Sequence, residues 1–245
     1  MFIHEIDGEF WKIVHQYNAH ENAILQKIVH SFAVANNAYY IACRKNYSQK
    51  ERMFCYIMGL FHDIGRFKQW NEYQTLDDNI ARNHGEIGVE VFKELVDPKK
   101  LNLNEEETQL LLDTILYHIK VYEGNDPILK EYLEIIFSAD AYGILLTVAQ
   151  GSTNLSSHTD GYTPEILEKF YKGERLFKYS SKTKVDRILR CFSMAHCVTF
   201  DFLRRNILEQ HLFDIIYDTY KDNFTPEDQQ ILKKAIKFMN NNYKP

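Results

Sequence analysis

Glycine and proline are scarce in this chain, ten and five among 245 residues. Sandwiches and barrels of many short strands need those residues at their turns, so such folds fit poorly. Cysteine is scarcer still. Cys43, Cys55, Cys191 and Cys197 form no C-x-x-C pair and no disulfide-like framework, so they read as reduced, mostly buried thiols. Positive charge is not in excess: 29 Lys and Arg against 34 Asp and Glu leave a net −5, which argues against general nucleic-acid binding. The longest apolar stretch, Ile135 to Ala149, is short for a bilayer and contains Asp140, so no membrane partner is expected. Met1 to Asp7 carries acids where a signal peptide needs a basic region and an apolar core, and the expectation is a cytoplasmic protein. Neither G-x-x-x-x-G-K-[ST] nor G-x-G-x-x-G occurs, so any phosphate chemistry must rest on metals and side chains.

Aromatic residues, at 14%, are plentiful, and apolar residues recur with helical period. The expectation is an all-α fold of nine or ten helices with bulky cores. A first helix is expected from about Phe10 to His20, and a second from Glu21 to Arg44. Ser48 with Glu51 has the form of a capping box for the helix leading to His62 and Asp63. Periodicity fails from Lys68 to Arg82, which reads as an irregular loop. Asn83 and Asn104 are caps for two further helices, the second followed by three acids. After a turn at 123–127 comes an apolar helix carrying Asp140. The polar loop Gly151–Gly161 suggests a core over residues 1–150 and a C-terminal helical extension over 151–245. Within the extension, helices are expected near 164–177, 184–208, 209–222 and 226–241.

Six polar residues interrupt apolar helix faces or open a helix: His30, His62, Asp63, His84, His118 and Asp140. A buried imidazole or carboxylate is costly without a partner, and one such residue is more often a hydrogen-bonded core group than a ligand. Six are harder to satisfy mutually, because neutral imidazoles and carboxylates together are rich in acceptors. Their number suits two metal ions sharing one bridging carboxylate.

The order His, His-Asp, His, His, Asp resembles the HD-domain superfamily of metal-dependent phosphohydrolases. The blocks His30-Ser31-x-x-Val34-Ala35-x-x-Ala38, Gly59-Leu60-x-His62-Asp63-Ile64-Gly65 and His84-Gly85-Glu86-Ile87-Gly88 carry the likeness, over roughly Glu21 to Ala149. The resemblance implies a helical bundle in which His30, His62, Asp63 and Asp140 hold one metal. His84 and His118 would hold a second, with Asp63 bridging and central to catalysis. The implied cofactors are two divalent transition-metal ions, iron or manganese before zinc or nickel. The implied reaction is hydrolysis of a nucleotide or other small phosphate ester by a metal-activated water. Two alternatives share the scaffold: a di-iron oxygenase with the same ligand order, and a non-catalytic nucleotide-binding module.

Arg66 lies three residues past Asp63 and admits two readings. It is a catalytic, substrate-binding residue gripping a phosphate, or it pairs with Asp77 or Asp78. The basic run Lys172, Arg175, Lys178, Lys182, Lys184, Arg187 and Arg190 reads as solvated surface. Cys191, His196 and Cys197 match no standard zinc spacing.

Overall fold

The computed structural model describes residues 3–120 and 122–244. Among them are twelve α-helices, no strand, and one isolated bridge between Thr159 and Thr183. The fold is all-α. The helices are α1 (Ile3–Val14), α2 (Asn22–Arg44), α3 (Gln49–Phe61), α4 (Gly65–Tyr73), α5 (His84–Leu95) and α6 (Glu105–Tyr117). They continue as α7 (Pro127–Ala149), α8 (Pro164–Tyr171), α9 (Lys184–Ser193), α10 (Asp201–Glu209), α11 (Leu212–Tyr220) and α12 (Pro226–Asn242). The chain divides into two compact units, Met1–Asp140 and Ala141–Pro245, and the division falls inside α7.

The helix starts follow the capping chemistry. Ser48 and Glu51 close a reciprocal box at α3, as do Asn104 and Glu107 at α6. Asn83 accepts from the backbone N–H groups of Gly85 and Glu86, at 3.0 and 3.3 Å, and so sets the first turn of α5.

Three boundaries differ from expectation. The first helix is α1, ending at Val14, because Ile6, Phe10, Ile13 and Val14 form its buried face. Residues 65–73 are helical rather than irregular. Helix α4 buries Gly65, Phe67 and Gln69, and a buried polar residue in that stripe hides its period. The single helix expected over 184–208 is two. A 3₁₀ turn at Met194–Cys197 and extended backbone at Val198 separate α9 from α10. These breaks raise the count from nine or ten to twelve. Helix α7 follows the turn at 123–127, as expected. By length and composition alone it could cross a membrane, but most of that apolar window is buried within the protein and it carries Asp140.

The core of the first unit is aromatic. Phe10 meets Phe61 and Phe67 edge to face, with ring centroids 5.9 and 5.8 Å apart, and Phe61 meets Phe92 at 5.8 Å. Two glycines set how closely its helices approach. A Cβ on Gly59 would lie 2.6 Å from the Cα of Ala35, so α2 and α3 touch backbone to backbone. A Cβ on Gly65 would lie 2.0 Å from the carbonyl oxygen of His84, so α4 and α5 meet as tightly.

The second unit has its own core, in which Phe192 packs on Phe213 at 5.3 Å. Its polar loop is pinned by two buried acids. Asp186 accepts from the N–H and hydroxyl of Thr163 at 2.8 and 2.7 Å, and Asp228 accepts from Gly161 N–H at 3.0 Å.

Candidate metal centre

The six residues singled out in the sequence converge inside the first unit, and only Asp140 among them is more than slightly exposed. The ends of helices supply four of them. His62 and His118 stand at the C-terminal caps of α3 and α6, His84 is the first residue of α5, and Asp63 follows His62 directly. His30 and Asp140 project from within α2 and α7.

Helix ends also decide which imidazole nitrogen is free. The last carbonyls of a helix have no partner within it, and here they hold imidazole N–H groups. His62 Nδ1 lies 2.7 Å from the Gly59 carbonyl, and His118 Nδ1 lies 2.7 Å from the Ile115 carbonyl. A carbonyl only accepts, so each Nδ1 carries the proton and each Nε2 a lone pair. His84 Nδ1 is held instead by the Asp78 carboxylate, at 2.8 and 2.9 Å, with the same consequence.

Those lone pairs point at one another. His84 Nε2 lies 3.0 Å from His118 Nε2 and 3.1 Å from Asp63 Oδ1, and His118 Nε2 lies 3.5 Å from the same oxygen. Across the carboxylate, Asp63 Oδ2 is 3.6 Å from His62 Nε2 and 3.9 Å from His30 Nε2. His30 Nε2 in turn meets Asp140 Oδ1 at 2.9 Å. The His62 Nε2 atom is fully buried with no hydrogen-bond partner. Acceptors packed this way repel unless a cation lies among them, and the mixed imidazole and carboxylate set fits a divalent transition metal. Two groups of three can each supply ligand atoms to a single ion: His30, His62 and Asp140, and His62, Asp63 and His118.

Burial pushes the His62 pKa down to about 3, against the opposing pull of Asp63 and Asp140, and burial lowers that of His84 too. Both imidazoles are therefore neutral at physiological pH, the form that binds metal. Burial alone would raise the Asp63 pKa. The Lys27 ammonium beside it outweighs burial and keeps Asp63 ionised well below the usual carboxylate range.

Two cations border Asp63. Lys27 Nζ is 2.7 Å from Oδ2, and Arg66 Nε is 3.6 Å from Oδ1. The Arg66 guanidinium donates to Gln69 Oε1 and the Leu76 carbonyl, both at 2.7 Å, and to both Asp78 oxygens at 3.2–3.3 Å. The pair with Asp78 weighed from sequence is therefore formed, mostly buried rather than on the surface. A phosphate contact through either Nη atom would require release of these partners. Lys27 and Gln69 were not singled out from sequence. Lys27 sits one turn ahead of His30 on α2 (the i, i+3 position), which is the signal that could have found it.

The basic run falls in the second unit, and three of its seven residues are held by local partners. Lys172 meets Glu168 at 2.6 Å, Lys184 meets Asp160 at 2.7 Å, and Arg190 donates to the Phe177 carbonyl at 2.8 Å. Cys191, His196 and Cys197 join none of the metal-type groups found among the described residues.

Compared with known families, residues 28–144 match the model for the HD domain. This stretch is an HD domain. It contains all six of the converging residues, and the resemblance drawn from their order is the family found. HD domains bind divalent metals, and most members of the family are phosphohydrolases. No curated protein and no solved structure matches the chain.

Proposed function

We propose that this protein is a two-metal phosphohydrolase acting on a nucleotide or another small phosphate ester. One observation carries the reading. The two oxygens of Asp63 face different donor groups, Oδ2 toward His30 and His62, Oδ1 toward His84 and His118. A carboxylate with acceptor groups on both sides is what a bridge between two cations requires.

His30, His62, Asp63 and Asp140 would hold one ion, and His84 and His118, with Asp63, the other. When bound, the ions would supply Lewis acidity and a water acidic enough to attack phosphorus near neutral pH. The protein supplies the rest. Gly59 and Ile115 carbonyls hold two imidazoles in the ligating tautomer, so no reorganisation is needed when a ligand arrives. Lys27 and Arg66 put two positive charges beside the cluster, which favours an anionic substrate. Iron or manganese suits the ligand set best.

The test is a phosphatase screen of anaerobically purified protein reloaded in turn with Fe(II), Mn(II), Zn(II) and Ni(II), with oxygen uptake followed in parallel. Release of phosphate or a nucleoside without oxygen consumption supports the reading. Turnover that consumes oxygen and needs no phosphate leaving group overturns it in favour of the oxygenase.

A further inference from the structure

His84 differs from the other two histidines held at helix ends. His62 and His118 stand where a helix runs out, and spare carbonyls of their own last turns fix them. His84 opens a helix, and a helix N-terminus offers N–H donors but no spare carbonyl. An acceptor for its Nδ1–H has to come from elsewhere.

Asp78, in the segment between α4 and α5, supplies it. Its carboxylate receives His84 Nδ1–H at 2.8 Å and the His84 backbone N–H at 3.1 Å. The same carboxylate is held from behind. Arg66 Nη1 and Nη2 reach its two oxygens at 3.3 and 3.2 Å, and Gln69 Nε2 reaches Oδ1 at 2.9 Å. Gln69 is fully buried, and its remaining bonds also go to this network: it accepts from Arg66 and donates to the Arg82 carbonyl at 2.8 Å. With the Arg66 bond to the Leu76 carbonyl, two side chains of α4 fasten the connecting segment at Leu76, Asp78 and Arg82.

We infer that Asp78, clamped by Arg66 and Gln69, is a positioning residue for the His84–His118 half of the metal centre, and that Arg66 acts through it. The inference rests on the two-metal reading. A carboxylate behind a ligating imidazole fixes its tautomer and ring angle and raises its basicity. The His30–His62–Asp140 half has no share in this network. Loss of Asp78 should therefore weaken one ion and spare the other.

The experiment is an equilibrium titration of metal-free full-length protein with Mn(II), following bound ions per chain by electron paramagnetic resonance. Wild type should take two ions. Asp78→Asn keeps the side chain's shape but weakens its hold on the imidazole. It should keep one ion at wild-type affinity and bind the second about 10–100-fold more weakly. The retained ion shows that the variant is folded. A merely structural role would weaken both ions together or neither, and either result overturns the inference. If Asp78→Asn fails to fold, Arg66→Lys decides, because it loosens the clamp while keeping the charge. A weaker second ion with the first unchanged supports the clamp, and two unchanged ions overturn it. A wild-type chain that takes only one ion overturns the two-metal reading itself.

Discussion

Lys27 places its ammonium 2.7 Å from Oδ2 of Asp63, a carboxylate 4% exposed at the centre of the histidine cluster. Without a metal, this lysine is the closest positive charge to that oxygen. Removing one partner of a buried pair leaves the other charge uncompensated, at a cost of about 3–5 kcal/mol. Lys27→Met should therefore destabilise the chelator-treated protein by that order, read from urea unfolding. In Mn(II)-saturated protein the loss should shrink, because the cation then supplies the missing charge. Equal loss in both conditions would mean that Lys27 acts only through packing.

Asp63→Ala should abolish turnover of the best phosphate substrate and lower metal content below one ion per chain. The carboxylate stands between both donor groups, and no water can supply its charge. Wild-type turnover in a variant that holds less than one metal would contradict its role.

The buried histidines set an acid limit. His62 has a pKa near 3 in the folded state, against about 6.5 when unfolded, and that of His84 is lowered as well. Below pH 6.5 the unfolded chain binds protons that the folded one refuses, so stability must fall as pH falls. His62 contributes a slope approaching about 1.4 kcal/mol per pH unit down to its folded pKa, and His84 adds in the same direction. Asp63, whose folded pKa is depressed, adds stability above the unfolded carboxylate range and loses it at lower pH, so the histidines dominate between pH 6.5 and 4.5. Urea unfolding of metal-free protein at pH 7, 6 and 5 should show this decline, and a flat profile would contradict neutral burial.

Gly65→Ala should harm both stability and metal binding. The added methyl would meet the His84 carbonyl at 2.0 Å and the Gly88 nitrogen at 2.6 Å, so α5 must shift. Overpacking of this kind costs about 1–3 kcal/mol or more. Because His84 starts α5, the His84–His118 half should lose affinity first, as measured by the same titration of bound Mn(II). Wild-type stability together with wild-type binding of both ions would contradict the close approach.

Much of the site was legible because its residues are chemically out of place. A histidine such as His30 or His118 on an apolar face is visible in one dimension, and capping pairs such as Ser48 with Glu51 mark the ends that deliver the ligands. Helix α4 was not legible, since buried Gln69 breaks its apolar stripe; the reason for that burial, the Asp78 network, is made across the fold. The orientation of Arg66 was hidden for the same cause. Position three past Asp63 brings its Nε within 3.6 Å of that carboxylate, but only the folded segment 74–83 shows the rest of the guanidinium turned toward Asp78. The break between α9 and α10 is likewise a matter of tertiary context, because the apolar pattern runs through it.

The central claim is that Asp63 bridges two ions. Anomalous scattering from a crystal grown anaerobically with Mn(II) or Fe(II) tests it most directly. The expected result is two peaks, one beside His30, His62 and Asp140 and one beside His84 and His118, each about 2.0–2.3 Å from a different oxygen of Asp63. A single peak, or two of which only one touches Asp63, would contradict the bridge.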